Sequence, residues 1–442
     1  MTSFSKKAPW ILLFGDVAFF VVSLWLSLLV RYLGTPDKLT FNDHLAPFSL
    51  LFVVWVLVFF ISGLYDKQSI IFAQKLKGLL IRTQIVNIFI AVSFFYFIPW
   101  YGITPKTTLF LYLLISLCFI LAWRLSGYFI LVPKSRERAV LIGKGEEVNA
   151  LAKGAGELYN VDFVALIDPS RPSDEVAAEI EVLKPSLIVA DLHSDRVQIL
   201  LPNLYNLIFS QVRFMDIDEI YEGVFDRIPV SLVRHHWFLE NVSTSPKVFY
   251  DAFKRIMDVV LALVLGSVSL ILYPFIALAI KAEDKGPVFI FQKRVGKDDR
   301  IVRIAKFRSM SVAAQDETGA SEPQSVTRVG AFIRRTRIDE LPQLWNVVKG
   351  DLSLIGPRPE LPQFVKVYES EIPFYKIRHI IKPGLSGWAQ IYHKTPPKFS
   401  ASNEDTAMKL SYDLYYIKNR SFLLDLVIAL KTVKELVSRK GV

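Results

Sequence analysis

Apolar residues concentrate in the first third of the chain, in four stretches separated by polar loops. The stretches cover residues 10–30, 45–65, 83–104 and 107–123, and Asp16 is the only charged residue within them. Each approaches the ~20 residues that cross a ~30 Å hydrocarbon core. The pattern therefore predicts a four-helix transmembrane domain over residues 1–133. A cleavable signal peptide is disfavoured for the first stretch, because no small-residue cleavage site precedes Arg31 and three more apolar stretches follow.

Basic residues set the expected orientation, because Lys and Arg are enriched in cytoplasmic loops. They lie before the first span, between the second and third spans, and after the fourth span: Lys6, Lys7, Lys67, Lys75, Lys77, Arg82, Lys134, Arg136 and Arg138. The other two loops carry only Arg31, Lys38 and Lys106. We therefore expect both ends of the bundle, and the chain that follows it, in the cytoplasm. For Asp16, two interpretations stay open: a functional intramembrane acid, or an acid that snorkels or pairs with another helix.

Short apolar runs begin to alternate with helical stretches at Ala139. Four of the runs are interpreted as strands, at residues 139–142, 161–167, 187–190 and 212–215. Alternating strands and helices are typical of a doubly wound α/β sheet. A Rossmann-like cytoplasmic domain is predicted over residues 134–245.

The glycine loop of this predicted domain is incomplete. Gly143 and Gly145 begin a dinucleotide-binding fingerprint, and Asp168 lies roughly where a ribose-binding acid would stand. Val148 replaces the third glycine, which close packing of helix against strand requires. The sequence favours a scaffold or regulatory domain over a working nucleotide site.

A fifth apolar segment covers residues 256–280 and contains Asp258 and Pro274. Its length fits a membrane-spanning helix. Pro274 favours a break, since proline removes a helical hydrogen bond. Two interpretations stay open on these grounds: a fifth span, or a segment that bends at Tyr273-Pro274 and returns to the same side, with the backbone at the bend shielded by protein.

Composition and charge narrow the class of protein. Of the 442 residues 52% are hydrophobic and only 21% are charged, too few charges for the surface of a soluble protein of this size. The 33 Phe and 8 Trp exclude intrinsic disorder, and the single cysteine, Cys118, excludes an intrachain disulfide framework. The net charge is +10, and many cations follow Lys281. They suit anionic lipid or phosphorylated substrates, whereas no nucleic-acid motif is present, so a nucleic-acid partner is not expected.

Two adjacent acids, Asp339 and Glu340, stand at the predicted start of a helix, because Pro342 fits only a first helical turn. Taken alone, Asp339 is best interpreted as a helix cap. The functional interpretation is that one acid attacks a phosphorus atom while the other holds Mg²⁺, since neighbouring helical residues diverge by about 100°. Arg358 lies between two prolines. Two interpretations stay open: the prolines hold its guanidinium in positions suited to phosphate recognition, or they form a rigid turn that exposes the arginine.

Several motifs after residue 254 occur together and in a fixed order. They are Lys254-Arg255-x-x-Asp258, Gly286-Pro287-Val288-Phe289, Gln292-x-Arg294-Val295-Gly296, Lys306-Phe307-Arg308-Ser309-Met310, Asp339-Glu340-Leu341-Pro342-Gln343, residues 350–360, Lys382-Pro383-Gly384 and Asp413-x-Tyr415-Tyr416. On these residues the chain resembles the bacterial sugar transferases that act as polyprenyl-phosphate glycosyl-1-phosphate transferases, the large monotopic phosphoglycosyl transferases. The four spans and the degenerate α/β domain resemble the long form of that family.

The resemblance implies transfer of a sugar-1-phosphate from a UDP-sugar to undecaprenyl phosphate, with release of UMP. This reaction starts exopolysaccharide, capsule or O-antigen assembly at the cytoplasmic leaflet of the bacterial inner membrane. Carried onto this sequence, Asp339 is the nucleophile that forms a phospho-sugar intermediate, and Glu340 helps to hold Mg²⁺. The cations that the resemblance makes candidate phosphate ligands are Arg358, Lys306, Arg308 and Arg294.

The family's membrane segment is re-entrant, so the resemblance implies that residues 256–280 enter the membrane and return, within an α-rich monotopic catalytic domain over residues 246–442. Membrane lipid is an implied partner, and a homo-oligomer is compatible with the sequence. The family usually has Ser-Pro at the bend, where this chain has Tyr273-Pro274. Tyrosine cannot back-bond to the helix as serine does, so a different stabilisation of the bend is expected.

The alternative function is that of a membrane-anchored, NAD-dependent sugar-nucleotide dehydratase or epimerase. Such enzymes need an intact glycine loop and a catalytic Tyr-x-x-x-Lys. One match exists, from Tyr250 to Lys254, but it adjoins the membrane segment and is interpreted as chance. The acidic, arginine and proline motifs disfavour a non-catalytic receptor or transporter.

Overall fold

The computed structural model describes residues 2–65, 73–97, 106–131, 137–158, 161–205, 212–242, 247–311, 325–393 and 403–438. The chain divides into two compact units, Met1–Val224 and Phe225–Val442. The domain boundaries predicted at 133/134 and 245/246 lie outside the described residues, as do the basic residues Lys67, Lys134 and Arg136. The three-domain division stays a prediction.

Four long helices open the first unit: α1 (Thr2–Tyr32), α2 (Lys38–Ser62), α3 (Ala73–Phe97) and α4 (Lys106–Leu131). Each contains a segment long and apolar enough to cross a membrane, as expected of a membrane protein. These segments are Trp10–Tyr32, Lys38–Ser62, Gly78–Phe97 and Thr107–Ser126. The four predicted membrane helices are confirmed, although the second begins at Lys38 rather than at residue 45.

Asp16 is fully buried between helices and has an ionic partner there. Arg124 of α4 donates from Nε to Asp16 Oδ1 at 3.0 Å, and the Tyr65 hydroxyl donates to Asp16 Oδ2 at 2.7 Å. Arg124 also donates to the carbonyl of Leu64 at 2.9 Å. Of the two interpretations of Asp16, the structure therefore has the acid paired with another helix, as intramembrane charges usually are.

A four-stranded parallel sheet follows in the same unit. Its strands are β1 (Glu137–Ile142), β2 (Val161–Ile167), β3 (Leu187–Ala190) and β4 (Arg213–Asp216), in the order β2-β1-β3-β4. The helices along this part of the chain are α5 (Glu146–Leu158), α6 (Ser173–Leu183), α7 (Asp195–Gln198), α8 (Leu201–Leu204) and α9 (Ile217–Phe225). The two central strands are buried, β1 from Ala139 to Ile142 and β3 from Leu187 to Ala190, as expected where helices cover both faces of a parallel sheet, whereas the edge strands β2 and β4 are partly exposed. The predicted α/β alternation is confirmed.

The second unit is mainly helical. Its helices are α10 (His235–Asn241), α11 (Val248–Leu270), α12 (Tyr273–Asp284), α13 (Arg328–Arg335), α14 (Gln343–Lys349), α15 (Pro362–Glu371), α16 (Trp388–Tyr392), α17 (Asn403–Asn419) and α18 (Phe422–Ser438). Two small sheets accompany them: an antiparallel hairpin of β5 (Phe289–Val295) and β6 (Ile301–Phe307), and a parallel pair of β7 (Ser353–Ile355) and β8 (Gly384–Ser386).

The fifth apolar segment forms two helices, α11 and α12, bent by 55° relative to each other. Pro274 lies in the first turn of α12, where its missing N–H leaves no helical bond unmade. The tyrosine that precedes it packs edge-on against Phe307, with the ring centroids of Tyr273 and Phe307 4.9 Å apart. The hydroxyl that back-bonds near the bend belongs to Ser269, which donates to the carbonyl of Gly266 at 2.7 Å. Packing of an aromatic ring thus accompanies the bend in this chain.

Candidate active site

Asp339 and Glu340 lie in a 3-10 turn, Ile338–Glu340, directly before α14. The preceding residue, Arg337, has φ 55°, a left-handed conformation that lets the chain turn sharply after α13. Asp339 is 9% exposed, and none of the described residues donates a hydrogen bond to its carboxylate. Pro342 occupies the capping position of α14, so Asp339 does not cap that helix. Within the described part of the chain, Asp339 is therefore a buried acid whose carboxylate accepts no hydrogen bond.

Glu340 is held by two cations that converge on one carboxylate oxygen. Lys306 Nζ donates to Glu340 Oε1 at 3.1 Å, and Arg358 Nη2 donates to the same oxygen at 2.8 Å. Burial alone would raise the pKa of Glu340, but the charges of Arg358 and Lys306 outweigh it and hold that pKa at about 2. Glu340 is therefore ionised at neutral pH, and within the described part of the chain its second oxygen, Oε2, accepts no hydrogen bond.

The pKa of Asp339 is shifted upward, in the opposite direction to that of Glu340. Burial raises the pKa of Asp339, and the adjacent Glu340 carboxylate raises it further. The cations Lys306, Arg334 and Arg358 act against that rise. Two neighbouring carboxyl groups whose environments separate their pKa values are typical of a site in which each group has its own chemical role.

The loop that carries Arg358 is rigid along its backbone. The four consecutive carbonyls of residues 357–360 each accept one hydrogen bond. The donors, in order, are Gly384 N at 2.9 Å, Arg378 Nη2 at 2.9 Å, Arg294 Nη1 at 3.3 Å and Val295 N at 3.0 Å. The Arg358 side chain is nevertheless 41% exposed, so its guanidinium can meet a ligand. Tertiary hydrogen bonds thus restrict the backbone of this loop, in addition to the two prolines from which its stiffness is predicted.

Comparison with known proteins identifies the family. A sequence model of the bacterial sugar transferases matches residues 249–439. The chain is 37% identical over 199 residues to the exopolysaccharide production protein PSS of Rhizobium leguminosarum bv. phaseoli, a match over 42% of this chain and 97% of that protein. This chain belongs to the bacterial sugar transferase family. The resemblance inferred from the motifs is confirmed.

Two further relatives each match less than half of this sugar transferase. One is a UDP-N-acetylgalactosamine-undecaprenyl-phosphate N-acetylgalactosaminephosphotransferase of Aeromonas hydrophila, 46% identical over 203 residues, which are 45% of this chain and 47% of that protein. The other is a UDP-glucose:undecaprenyl-phosphate glucose-1-phosphate transferase of Klebsiella pneumoniae, 40% identical over 185 residues, which are 41% of this chain and 39% of that protein. The chain thus spans less than half the length of either relative.

Two of the four predicted phosphate ligands, Lys306 and Arg358, lie at the acidic pair. Arg294 instead clamps the loop, and it also donates to Gln292 Oε1 at 3.0 Å. Arg308 is 6% exposed and pairs with Asp284 at the end of α12, where its Nη1 donates to Asp284 Oδ2 at 2.7 Å. The structure therefore brings together half of the predicted set, while the phosphate-binding role of all four stays a prediction.

Sequence reasoning missed two arginines that belong to the site. Arg334 of α13 acts on the pKa of Asp339 and donates from Nε to Ser309 Oγ at 2.7 Å. Arg378 is buried and lies behind the Arg358 loop. In the sequence, Arg334 is one of a run of cations and Arg378 has no motif of its own, so no local pattern singles out either residue.

The Tyr-x-x-x-Lys match has a structural explanation. Tyr250 OH and Lys254 Nζ both donate to Asp425 Oδ2, at 2.8 and 2.9 Å. Tyr416 OH donates to the other oxygen of Asp425 at 2.7 Å. Tyr250 and Lys254 thus fasten the start of α11 to α18, and Tyr416 fastens α17 to α18, so both residues of the motif are engaged in contacts between helices. This placement argues against a dehydratase or epimerase site there.

In the first unit, the incomplete glycine loop is partly filled. A Cβ at Gly143 would lie 3.1 Å from Val148 Cγ2, tighter than ordinary contact. Lys144 Nζ lies 3.0 Å from Asp168 Oδ2, so the acid expected near a ribose already has a cation beside it. Both features accord with the scaffold interpretation.

Two other groups of side chains have the spacing of metal ligands, Asp191 with His193 and Asp216, and Asp299 with Glu369 and His379. Within each group the ligand atoms lie within 4.8 Å of one another. Both groups are already linked by hydrogen bonds, His193 Nδ1 to Asp216 Oδ2 at 3.0 Å and His379 Nδ1 to Asp299 Oδ1 at 2.7 Å. Neither contains the acidic pair, so neither explains the site.

Proposed function

We propose that this sugar transferase moves a sugar-1-phosphate from a UDP-sugar to undecaprenyl phosphate and releases UMP, the first step in assembling an exopolysaccharide, capsule or O-antigen. The observation that carries the proposal is the buried carboxylate of Asp339, which accepts no hydrogen bond from the described residues and lies beside an ionised Glu340 that Lys306 and Arg358 contact. The chain is similar to relatives named for transfers to undecaprenyl phosphate, which supports the same reaction class.

The proposed reaction has two steps, each a displacement at phosphorus. First, an Asp339 carboxylate oxygen attacks the phosphorus that bears the sugar, and the bond from that phosphorus to the UMP oxygen breaks. UMP leaves with the electron pair, and an aspartyl phospho-sugar remains. Second, a phosphate oxygen of undecaprenyl phosphate attacks the same phosphorus and frees the Asp339 carboxylate. No water, oxidant or reductant takes part.

Arg358 and Lys306 are the proposed recognition groups for the diphosphate. A planar guanidinium donates two parallel hydrogen bonds to phosphate oxygens, and an ammonium supplies a compact point charge. Both cations pair with Glu340, which keeps them close to Asp339. The exposed part of the Arg358 side chain gives a diphosphate access without rearrangement of the loop.

The residues present fit a magnesium ion. Mg²⁺ prefers hard oxygen ligands and is commonly held by one or two carboxylates together with substrate phosphates. Glu340 is ionised, and its Oε2 accepts no hydrogen bond from the described residues, so Glu340 would hold the ion. When bound, Mg²⁺ would neutralise charge on the transferring phosphate.

We further propose that α11 and α12 enter the membrane and return to the same side. The first part of α11 contacts the folded unit through Asp258, which accepts from Ser353 Oγ at 2.7 Å and from Leu354 N at 3.2 Å. The end of α12 contacts the same unit through Glu283, whose oxygens accept from the backbone N–H groups of Arg328 and Val329 at 2.7 and 3.1 Å.

Helix length supports the same conclusion. Neither helix is long enough to cross by itself: at about 1.5 Å per residue, α11 extends about 18 Å from Asp258 to its end and α12 extends about as far, whereas a crossing needs about 30 Å. The outward side chains of both helices and of the bend between them are apolar and exposed: Ile256, Val260, Leu263, Val264, Val268, Ile271, Leu272, Phe275 and Leu278. Together with the basic loops, these features support an inner-membrane enzyme whose acidic pair works on the cytoplasmic side. The Rossmann-like domain is proposed as a scaffold or regulatory domain.

Release of UMP by the purified chain tests the reaction, with undecaprenyl phosphate and a panel of UDP-sugars that includes UDP-N-acetylgalactosamine and UDP-glucose. Asp339→Asn should neither release UMP nor trap a radiolabelled phospho-sugar on the protein. Glu371→Gln, which neutralises an exposed acid at the end of α15, is the matched control and should behave as the unaltered chain. Undiminished UMP release by Asp339→Asn would end the proposal.

The membrane arrangement has its own test. A tag fused to the carboxyl terminus should be labelled only when the inner membrane is permeabilised. Labelling of intact spheroplasts would place the second unit outside the cell, where neither the re-entrant bend nor the transfer reaction is tenable.

A further inference from the structure

Arg378 supports the loop of Arg358 from inside the protein. It lies in the 3-10 turn Tyr375–Ile380 and is 5% exposed. Its Nη2 donates to the carbonyl oxygen of Arg358 at 2.9 Å, and its Nη1 donates to the Tyr375 hydroxyl at 2.6 Å. Nη2 also lies 2.8 Å from Oδ2 of Asp413, which is itself fully buried. The guanidinium is thus engaged by protein groups on several sides, and its contact with the Arg358 loop is to backbone.

A buried ion pair of this kind is weak evidence for stability. Desolvation of two charges offsets most of their attraction, and well-packed apolar residues of similar volume are often as stable or more stable. Burial raises the pKa of Asp413 to about 6, although the charge of Arg378 acts against that rise. The better-attested use of such a pair is to fix one conformation, and the group fixed here is the carbonyl of Arg358.

We infer that Arg378, held in place by Asp413, is a positioning residue that sets the backbone of Arg358 so that its guanidinium meets the donor diphosphate beside Asp339. This inference rests on the proposed function. The contacts form a continuous path, from Asp413 to Arg378 at 2.8 Å, from Arg378 to the Arg358 carbonyl at 2.9 Å, and from the Arg358 guanidinium to Glu340 at 2.8 Å.

Arg378→Lys is the informative substitution. It keeps a positive charge opposite Asp413, but an ammonium lacks the planar fork that reaches Tyr375 and the Arg358 carbonyl together. A misplacement of ~1 Å at a group that contacts the reacting atoms costs on the order of 10²-fold. We therefore expect kcat/KM for the UDP-sugar to fall by roughly 10–100-fold.

A double-mutant cycle separates positioning from general support of the fold. The rates of UMP release are compared for the unaltered chain, Arg378→Lys, Arg358→Lys and the double variant. If Arg378 acts through Arg358, Arg378→Lys should cost less than about twofold once Arg358 is already lysine, because interacting residues are not additive. An equal loss in both backgrounds would overturn the positioning role.

Tyr375→Phe keeps the inference testable if Arg378→Lys does not fold. It removes only the hydroxyl that accepts from Arg378. The rate should fall by about 2–5-fold in the unaltered chain and stay level in the Arg358→Lys background, as expected for loss of one hydrogen bond of ~1 kcal/mol. Tyr368→Phe is the matched control, since the Tyr368 ring stacks near that of Tyr375, at 5.3 Å, but its hydroxyl has no hydrogen bond to Arg378 among the described contacts.

The possible negative results have different consequences. If the unaltered chain releases UMP but the losses in the double-mutant cycle are additive, only the positioning role is overturned. A loss with Tyr368→Phe equal to that with Tyr375→Phe would do the same. An unaltered chain that releases no UMP from any UDP-sugar would overturn the proposed function and this inference together.

Discussion

Removal of the Arg334 charge should move the acid limb of the pH–rate profile to higher pH. In the proposed reaction Asp339 must be ionised to attack phosphorus, so kcat/KM should fall as the pH drops through the pKa of Asp339. Burial and the Glu340 carboxylate raise that pKa, while Lys306, Arg334 and Arg358 act against the rise. Arg334→Gln removes one of the opposing cations, so the pKa of Asp339 rises further and the limb follows it.

The size of the shift follows from the placement of Arg334. An opposite charge within ~4–6 Å lowers a carboxyl pKa by roughly 1–3 units. Arg334 is exposed, and solvent screens its charge, so a shift of about 0.5–1 pH unit is expected, equivalent to about 0.7–1.4 kcal/mol. The same screening means that the shift should shrink at high salt. Lys306 and Arg358 are unsuitable targets, because both also pair with Glu340.

The assay is UMP release at UDP-sugar concentrations below KM, over about pH 5 to 9, because kcat/KM reports the pKa values of the free enzyme. Arg335→Gln is the control: it removes the same charge from the neighbouring position on α13, and Arg335 is not among the main influences on the pKa of Asp339. Equal shifts in the two variants would point to the overall surface charge. An acid limb that stays in place or moves to lower pH in Arg334→Gln would refute the role given to Asp339.

Three other substitutions have defined outcomes. Glu340→Gln should lower UMP release by on the order of 10²-fold and raise the Mg²⁺ concentration needed for half-maximal rate, and an unchanged Mg²⁺ titration would contradict its role. Asp425→Ala should lower stability by about 3–5 kcal/mol in denaturant unfolding, since Lys254 loses its counter-charge, while Asp425→Asn should lose less. Gly384→Ala should cost about 1–3 kcal/mol, because a Cβ there would overlap the backbone of Gly356. Gly78→Ala, with open space around its Cβ inside α3, is the control that should not lower stability, because alanine is favoured over glycine within a helix.

The fold could be predicted wherever a single stretch of sequence is enough to identify a helix or a strand. An uninterrupted apolar run long enough to cross a membrane needs no partner to be recognised, and the four membrane helices were found in this way. The strands Val161–Ile167 and Leu187–Ala190 have the predicted bounds, because each is a short apolar run between polar neighbours. The partner of Asp16 could not be chosen from sequence, since Arg124 lies on another helix far along the chain.

The residues of the candidate site likewise fall into two groups, those that a local motif marks and those that only the tertiary fold identifies. Asp339, Glu340 and Arg358 lie in compact motifs, so their types and neighbours mark them in the sequence, and the structure brings them together. Arg308 has the same residue type as Arg358 but is paired with Asp284, which only the tertiary fold determines. Arg378 is the converse case, a residue without a motif whose importance comes from one hydrogen bond to a distant backbone carbonyl. The type of a charged residue can thus be read from the sequence, whereas its role depends on which residue it contacts in the folded protein.

The connection between α11 and α14 links the acidic pair to the helices that are proposed to enter the membrane. Arg255 of α11 donates to the last carbonyls of α14, to Val347 O at 2.7 Å and to Val348 O at 2.8 Å. Further along α11, a Cβ at Gly266 would lie 3.5 Å from the ring of Trp345 on α14, an ordinary contact distance, so the two helices approach closely there. Because α14 follows Asp339 and Glu340, in the proposed arrangement the depth of α11 in the lipid would set the height of the proposed nucleophile above the membrane. A lipid phosphate cannot leave the interface, so in the proposed reaction the protein brings the nucleophile to the lipid through this helix contact.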